Sequence, residues 1–284
     1  MRIDAHQHFW KYDPARDAWI TDTMSALRRD FLPEELDREI RENGIDASIA
    51  VQADQSESET LFLLDLAECH ERIAGVVGWV DLASPRVGER LRFLSQFKKL
   101  CGFRHIVQSE PDDRFLVRSD FARGVACLQE FGFTYDILIY PRQMPAAIEL
   151  TTKISGQRFA IDHMAKPEIR TKNCASWAAH MMEIAKNPNV YCKVSGLVTE
   201  ADWRRWKKED FTPYLDVVFK AFGPERLLFG SDWPVCLVAG SYRQVKQIVE
   251  DYLEQYAAED RDKIFGGNAI RFYGLNTVQH GLAA

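Results

Sequence analysis

The sequence predicts an α/β protein folded as a single (β/α)8 TIM-type barrel over residues 1–284. Short apolar runs alternate eight times with amphipathic helical patterns, and the runs recur roughly every 25 to 45 residues, which is the length of a βα unit. A barrel of this type needs about 250 residues, so the chain length fits one domain. No glycine-rich phosphate loop follows the first run, which argues against an open nucleotide-binding sheet with a similar pattern.

The predicted strands are the apolar runs rich in Val, Ile or Phe. They cover residues 2–9, 47–53, 73–81, 101–108, 133–140, 157–163, 190–196 and 227–232. The clearest helical patterns cover residues 33–43, 57–71, 176–186 and 213–222. The first begins at Pro33 and stops before Gly44, and Gly223 follows the last, as expected for helix ends. Two long connections, 9–32 and 197–212, follow strands and are expected on the face of the barrel where chemistry occurs.

The overall composition argues against several classes of partner. A formal net charge of −6 disfavours nucleic acid and anionic membranes. The chain opens with a polar segment and contains no run of eighteen apolar residues, so neither a secretory signal nor a membrane span is expected. The six cysteines lack CxxC spacing, which is typical of reduced thiols. We expect a cytoplasmic protein that acts on a small molecule, and the oligomeric state stays open.

Two histidines lie two positions apart in the first predicted strand. Alternate side chains of a strand share a face, so His6 and His8 are expected to point the same way. Near the end of the strand that direction leads into the mouth of the barrel, where two imidazoles can bind a metal ion or an anionic oxygen. The alternative is ordinary packing, because an HxH pair alone is a weak signal.

Two further polar residues end predicted strands. His163 ends the sixth strand and Asp232 ends the eighth. Asp232 is either a helix cap or a catalytic base, and the cap is disfavoured because Pro234 follows quickly and the next helix begins near Ser241. The ends of strands one, six and eight converge in a barrel, which favours one site over separate accidents. The predicted catalytic group comprises His6, His8, His163 and Asp232.

Four more residues near strand ends are candidates for substrate binding. Arg104 and His105 are neighbours in the fourth strand and face opposite ways, so only one is expected to point inward. We favour Arg104 as a substrate or oxyanion contact, with a structural salt bridge as the alternative. Lys166 stays open between a substrate hydroxyl contact and a surface charge. Trp10 stays open between a sugar-stacking wall and core packing.

Short motifs spread over nearly the whole chain resemble the amidohydrolase superfamily. They lie at residues 3–10, 102–105, 162–167, 193–196, 229–234 and 267–273. As a group they are most similar to the amidohydrolase-related branch of sugar-lactone hydrolases, with its fuconolactonase-like and rhamnonolactonase-like members. The resemblance implies a barrel, hydrolysis of a sugar lactone and a site at the predicted catalytic group.

Two features of the wider superfamily are missing from the sequence. Binuclear members carry a carbamylated lysine on strand four and a histidine on strand five. Here the fourth strand ends with Arg104 and His105, and residues 135–140 of the fifth strand contain no histidine. We therefore expect either no required cofactor or one zinc ion. The candidate zinc ligands are His6, His8 and Asp232.

The resemblance implies the opening of a sugar lactone to its aldonic acid, and it names L-fuconolactone or a related aldonolactone as the expected substrate. In this mechanism Asp232 accepts a proton from the water that attacks the carbonyl, and His163 stabilises the oxyanion. The alternatives are a zinc-dependent decarboxylase of the same fold branch and a non-catalytic barrel that binds sugar acids. Turnover separates an enzyme from a binding protein, and metal stoichiometry helps to separate the two enzymes.

Overall fold

Eight parallel strands form one sheet in the order β1 to β8 in the computed structural model, which describes residues 1–275. The strands are β1 (Ile3–Gln7), β2 (Ala47–Val51), β3 (Ile73–Gly78), β4 (Leu100–Ile106), β5 (Thr134–Leu138), β6 (Phe159–Ile161), β7 (Val190–Val194) and β8 (Leu227–Phe229). This arrangement confirms the predicted (β/α)8 barrel. Residues 276–284 of the predicted domain lie outside the described residues.

Helices follow the strands and cover the outside of the barrel. They are α1 (Pro33–Glu42), α2 (Glu57–Cys69), α3 (Val87–Leu94), α4 (Ser119–Cys127), α5 (Met144–Lys153), α6 (Ala175–Ile184), α7 (Thr212–Phe222), α8 (Tyr242–Leu253), α9 (Ala258–Asp262) and α10 (Asn268–Tyr273). Helix α2 begins at a capping serine, because the Ser56 hydroxyl accepts a hydrogen bond from the Glu59 N–H. Helix α7 ends at Gly223, as the sequence predicted.

The ring of strands closes between β8 and β1 just beyond the end of β8. The N–H of His8 donates to the carbonyl of Trp233 at 2.7 Å, and the N–H of Asp232 donates to the carbonyl of His6 at 2.9 Å. These two bonds join the segments that carry three of the predicted site residues. Closure of the barrel and assembly of the site therefore depend on the same backbone contacts.

Apolar side chains fill both faces of the strands, as expected for a parallel sheet covered by helices. In β6, Phe159 and Ile161 belong to the cluster that packs under the helices, while Ala160 between them belongs to a second cluster inside the barrel. Phe272 and Tyr273 of α10 pack on this interior cluster. Its members include residues at the starts of strands, so α10 closes the end of the barrel opposite the predicted site.

Several strands are shorter than the sequence predicted. In two of them the residues left outside the strand include predicted site residues. The predicted strands end at His163 and Asp232, whereas β6 ends at Ile161 and β8 at Phe229. That part of the prediction was wrong because residues 163–166 and residue 232 have positive φ, which is incompatible with a strand. His163 and Asp232, two of the four predicted catalytic residues, thus stand on turns that follow the strands.

No helix within residues 1–275 is long and apolar enough to cross a membrane. The six cysteines are free thiols, and Cys101, Cys192 and Cys236 among them are buried. The cytoplasmic location stays a prediction.

Asp4 ties β1 to the segments that follow β8. Its Oδ1 accepts hydrogen bonds from the N–H of Ser231 at 2.9 Å and of His6 at 3.1 Å, and its Oδ2 accepts one from the Tyr242 hydroxyl at 3.0 Å. Burial outweighs these hydrogen bonds and raises the pKa of Asp4 to about 6. A carboxyl group at the seam of the barrel therefore holds its proton more tightly in the folded protein than in the unfolded chain.

We expect Asp4→Asn to gain stability relative to the wild type as the pH rises from 4 to 7. Between the ordinary pKa of 3.8 and the folded pKa of about 6, the unfolded wild-type chain binds fewer protons than the folded protein, so the wild type loses stability with rising pH. The loss is at most about 3 kcal/mol, at about 1.4 kcal/mol per pKa unit. Urea unfolding at pH 4.5 and 7 measures it. The exposed Asp65→Asn serves as control, and a difference independent of pH would contradict the assignment.

Candidate functional site

The four predicted catalytic residues meet at the carboxyl ends of the strands. His6 lies in β1 and His8 directly follows it, while His163 and Asp232 follow β6 and β8. The Nε2 atoms of His6 and His8 are 3.2 Å apart, and the rings of His6 and His163 have centroids 4.4 Å apart. The side chain of His6 is fully buried, whereas His8, His163 and Asp232 each keep 5% of their area exposed. The latter three therefore form the accessible edge of the group.

One oxygen of Asp232 lies at the centre of the three imidazoles. Its Oδ1 is 3.5 Å from Nε2 of His8, 3.8 Å from Nε2 of His163 and 4.0 Å from Nε2 of His6. These separations are longer than ordinary hydrogen bonds. The oxygen therefore lies among three nitrogen atoms and can still accept a hydrogen bond from a further group. A carboxylate oxygen in this position can accept a proton from a water molecule placed among the imidazoles.

The backbone around the site adopts conformations that non-glycine residues rarely take. Residues His163 to Lys166 have φ angles of 53°, 52°, 56° and 49°, and Asp232 has a φ of 58°. Such left-handed residues cost energy and concentrate at functional sites, where the surrounding structure enforces them. Here the conformation turns His163 and Asp232 inward immediately after their strands end.

Neighbouring groups fix the outer imidazoles. Nδ1 of His8 lies 2.7 Å from the carbonyl of Val51, and Nδ1 of His163 lies 2.9 Å from the hydroxyl of Ser195. Next to Ser195, Gly196 has a φ of 65°, and a Cβ there would come within 2.7 Å of the His163 ring. Only glycine allows the segment after β7 to pass this close to the imidazole of His163.

Below the imidazoles lies a layer of buried charges. Nζ of Lys193 is 2.5 Å from Oδ2 of Asp136 and 2.9 Å from Oδ1 of Asp162, and it is 3.1 Å from Nδ1 of His6. Nη1 of Arg104 is 3.0 Å from the second oxygen of Asp162. Strands β4, β5 and β7, together with the residue after β6, each supply one charge. Two cations and two carboxylates are thus paired, as burial requires.

Burial and neighbouring charges shift the pKa values of the three histidines and of Asp232. Burial lowers the pKa of His163 to about 4 and that of His8 below its ordinary value. Burial and then the charge of Lys193 hold the pKa of His6 well below its ordinary value. Burial alone would raise the pKa of Asp232, but His163, His8 and Lys166 hold it below its usual range. At neutral pH an ionised carboxylate therefore stands among neutral imidazoles.

Arg104 and His105 point in opposite directions, as predicted from their positions on one strand. Arg104 points into the barrel, where Nη1 contacts Asp162 and Nη2 donates to the carbonyl of Gln52. Its guanidinium therefore already has protein partners, which agrees with the salt-bridge alternative. His105 points outward, pairs with Glu110 at 2.8 Å and stacks on Phe115. The structure does not bring His105 to the catalytic group.

The two remaining candidates occupy different places. Nζ of Lys166 lies 3.6 Å from Oε1 of Glu200 and 5.6 Å from the centre of the Tyr140 ring, with 18% of its side chain exposed. This partial exposure places it on the rim of the site. Trp10 is buried in the long connection after β1, where its indole N–H donates to the carbonyl of Arg29 at 2.9 Å. The structure does not place Trp10 in the catalytic group.

The donor set fits a single metal ion of the zinc type. The donor atoms of His6, His8 and Asp232 lie within 4.8 Å of one another, and two imidazoles with one carboxylate are common zinc ligands. A second set formed by His6, Asp162 and His163 shares His6, and Asp162 is already engaged by two cations. The arrangement therefore has room for one ion of this type.

Several residues of the site escaped the sequence-based prediction. These are Gln52, Asp136, Asp162, Lys193, Ser195 and Glu200. A signal existed for three of them, because Asp162, Lys193 and Ser195 fall in motifs that carried the family resemblance. A second signal was available for Asp136 and Lys193, since each is a charge between two apolar residues of a strand.

We expect Gly196→Ala to lower kcat about 10- to 100-fold, because displacing a catalytic group by even about 1 Å can cost that much. The left-handed backbone should also cost about 1–2 kcal/mol of stability. Gly132→Ala is the matched control, since Gly132 has a φ of 72° and a Cβ there meets nothing within 4 Å. The control should lose comparable stability and keep its kcat. Equal kcat values for the two variants would show that Gly196 does not position His163.

Comparison with known proteins places the chain in a family. The sequence profile described as amidohydrolase matches residues 3–275. An L-fucono-1,5-lactonase of Burkholderia multivorans is 44% identical over 97% of this chain and 96% of its own, and one of Burkholderia ambifaria is 34% identical over the same shares. A crystal structure of an amidohydrolase from Burkholderia multivorans with bound zinc superposes with a TM-score of 0.92, at 44% identity over 97% of this chain and 99% of that one. The chain belongs to the amidohydrolase family.

Proposed function

We propose that the protein hydrolyses a sugar lactone to its aldonic acid, with L-fuconolactone as the best single substrate. The observation that carries the proposal is the position of Oδ1 of Asp232, which lies 3.5 Å, 3.8 Å and 4.0 Å from the Nε2 atoms of His8, His163 and His6. The similarity to two proteins named L-fucono-1,5-lactonase supports the substrate class. The decarboxylase and the sugar-acid-binding barrel are not favoured by these relatives.

In the proposed reaction Asp232 acts as general base. Oδ1 accepts a proton from a water molecule, and the water oxygen forms a bond to the lactone carbonyl carbon. General base assistance of this kind contributes roughly 10²–10⁴ in rate. The carbonyl oxygen becomes an oxyanion, which accepts hydrogen bonds from imidazole N–H groups on His163 and His6. Loss of one such donor typically costs on the order of 10²–10³ in rate.

The second half of the reaction returns the proton. The tetrahedral intermediate collapses, the bond between the carbonyl carbon and the ring oxygen breaks, and the ring oxygen takes the proton from Asp232. The products are a free hydroxyl and a carboxylic acid on one open chain, and the acid releases its remaining proton to the solvent to become a carboxylate. One water is consumed and Asp232 is regenerated. Arg104 contributes through its positive charge beneath His6, because its guanidinium is bonded to Asp162 and Gln52.

Substrate hydroxyls are assigned to the rim of the site. Lys166 and Glu200 offer a donor and an acceptor 3.6 Å apart, beside the Tyr140 ring. Burial raises the pKa of Glu200, and the nearby charge of Lys166 partly offsets this rise. A neutral, hydroxyl-rich ring suits such a rim better than a phosphorylated or strongly charged substrate.

His6, His8 and Asp232 would hold a single zinc ion if one is bound, and such an ion would polarise the lactone carbonyl. The proton transfers described above need no ion, because Asp232 is already ionised and the imidazoles already offer hydrogen bonds. We therefore propose that at most one ion binds and that turnover does not require it.

We expect Asp232→Asn to remove most turnover while leaving KM nearly unchanged, because the amide keeps the shape of the pocket but cannot accept the water proton. His163→Asn should also lower kcat more than it changes KM. Steady-state kinetics with an aldonolactone and a pH indicator measure both. Asp202→Asn, on the surface beside Arg205, is the control and should keep full activity. A large rise of KM at constant kcat in Asp232→Asn would rule out the general-base role.

We expect activity to survive chelation largely intact. Protein dialysed against a chelator should contain less than about 0.1 equivalents of metal by elemental analysis and retain more than half of its kcat/KM, because the water is activated by Asp232. Re-addition of one equivalent of zinc is the matched comparison. Two firmly bound equivalents, with activity tracking metal content, would contradict both the single site and the metal-independent route.

The substrate assignment is tested by kcat/KM across a panel of aldonolactones and aromatic carboxylates. Hydrolysis of six-carbon and deoxy-sugar lactones well above the spontaneous rate is the expected result. Release of carbon dioxide from an aromatic acid, with no lactone hydrolysed above background, would replace the lactonase proposal by the decarboxylase.

A further inference from the structure

A second cavity, of about 600 Å³, is lined by residues that do not belong to the catalytic group. Three segments form it: the connection 197–212 after β7, the turn that follows β8, and the first two turns of α8. Its volume falls in the range of about 300–1,000 Å³ that is typical of small-molecule sites. Two indoles, four cations and two side-chain amides supply almost all of the lining.

Two tryptophans supply the apolar part of the cavity. The indole N–H of Trp203 donates to the carbonyl of Thr199 at 2.9 Å, and that of Trp206 donates to the carbonyl of Ala239 at 2.8 Å. The backbone therefore fixes both rings, and the one polar atom of each ring is already engaged. The indoles offer the cavity apolar ring surface, on which a flat ring can stack.

Three cations of the cavity have no acidic partner. Within the described part of the chain, Arg204, Lys207 and Arg243 form no salt bridge, whereas Lys208 is bound by Asp251. The whole chain carries a net charge of −6, so this concentration of unpaired positive charge runs against its composition. Cations that converge on a concave surface attract anions, and guanidinium groups bind phosphate oxygens with two parallel hydrogen bonds.

Two glutamines on one face of α8 each keep one polar atom available. Oε1 of Gln244 accepts a hydrogen bond from the N–H of Ser241, and Nε2 of Gln247 donates to Asp251. Nε2 of Gln244 and Oε1 of Gln247 have no hydrogen-bond partner among residues 1–275. The cavity thus combines a free donor and a free acceptor with stacking surface and positive charge.

We propose that this cavity binds a nucleoside diphosphate, with the base stacked on an indole and the diphosphate held by Arg204, Lys207 and Arg243. Three unpaired cations require a ligand with more than one negative charge. A bare inorganic anion would leave the indoles unused, and a neutral sugar would leave the cations unused. The proposal is independent of lactone hydrolysis, because no catalytic residue lines the cavity.

Calorimetric titration of the full chain with ADP, inorganic pyrophosphate and adenosine separates the two parts of the site. The wild type should bind one equivalent of ADP. The affinity for ADP should be at least about tenfold higher than that for pyrophosphate or adenosine, because ADP alone uses both charge and stacking.

Two variants remove one part of the site each. Arg243→Gln should weaken the binding of ADP and of pyrophosphate about tenfold, the usual effect of losing a hydrogen bond to a charged group. Trp203→Leu should weaken ADP about tenfold and leave pyrophosphate within about twofold of the wild type, since stacking acts on the base alone.

Each variant has a matched control outside the cavity. Arg38→Gln changes an exposed arginine of α1 that forms no salt bridge within residues 1–275, and Trp19→Leu changes a tryptophan that is 42% exposed. Both controls should bind ADP with the affinity of the wild type.

Three results overturn the proposal. Absence of ADP binding to the wild type below about 1 mM shows that the cavity is not a nucleotide site. ADP affinity that stays within about twofold in Arg243→Gln places the bound nucleotide elsewhere, and this variant keeps the test decisive if Trp203→Leu does not fold, because Arg243 is exposed. ADP bound no more tightly than pyrophosphate shows that the indoles do not recognise the base.

Discussion

The ammonium of Lys193 lies between the carboxylates of Asp136 and Asp162, at 2.5 Å and 2.9 Å, and none of the three side chains is exposed. A lone buried charge would cost several kcal/mol, so each group is tolerable only while its partners stay in place. The contacts join β5, β7 and the turn after β6, and through Nδ1 of His6 they reach β1. The position of the His6 imidazole is therefore tied to the pairing of charges beneath it.

Burial and the buried cations together keep the imidazoles neutral beside the carboxylate of Asp232. Burial is the largest cause that lowers the pKa of each histidine, and the positive charge of Lys193 near His6 and of Arg104 near His8 and His163 acts in the same direction. The pKa of Asp232 depends on nearer groups: burial alone would raise it, but His163, His8 and Lys166 hold it below its usual range. Burial and nearby charges thus keep Asp232 ionised and the three histidines neutral.

The sequence predicted the barrel and the catalytic group because both follow from periodic patterns. Alternation along a strand placed His6 and His8 together and turned Arg104 and His105 apart, and convergence of strand ends brought in Asp232. The pairing of Asp136 with Lys193 was not predictable, because a charged residue inside an apolar strand does not show which opposite charge it will contact in the fold. The ends of two strands were also predicted wrongly, since none of the residue types from His163 to Lys166 indicates a left-handed backbone.

Two parts of the site differ in how well they tolerate mutation. The floor is the buried layer of charges formed by Arg104, Asp136, Asp162 and Lys193, and the rim is the pair of Lys166 and Glu200. Removing one partner of a buried pair in the floor leaves an uncompensated charge, which typically costs about 3–5 kcal/mol. The pair of Lys166 and Glu200 on the rim is about one-fifth exposed, and partly exposed pairs of this kind contribute about 1 kcal/mol or less. Mutations at the rim can therefore alter substrate contacts with little loss of stability. Mutations in the floor are expected to destabilise the fold before they alter substrate specificity. The paired charges of the floor are therefore needed for folding as well as for the chemistry, whereas the rim residues that contact the lactone can change without loss of the fold.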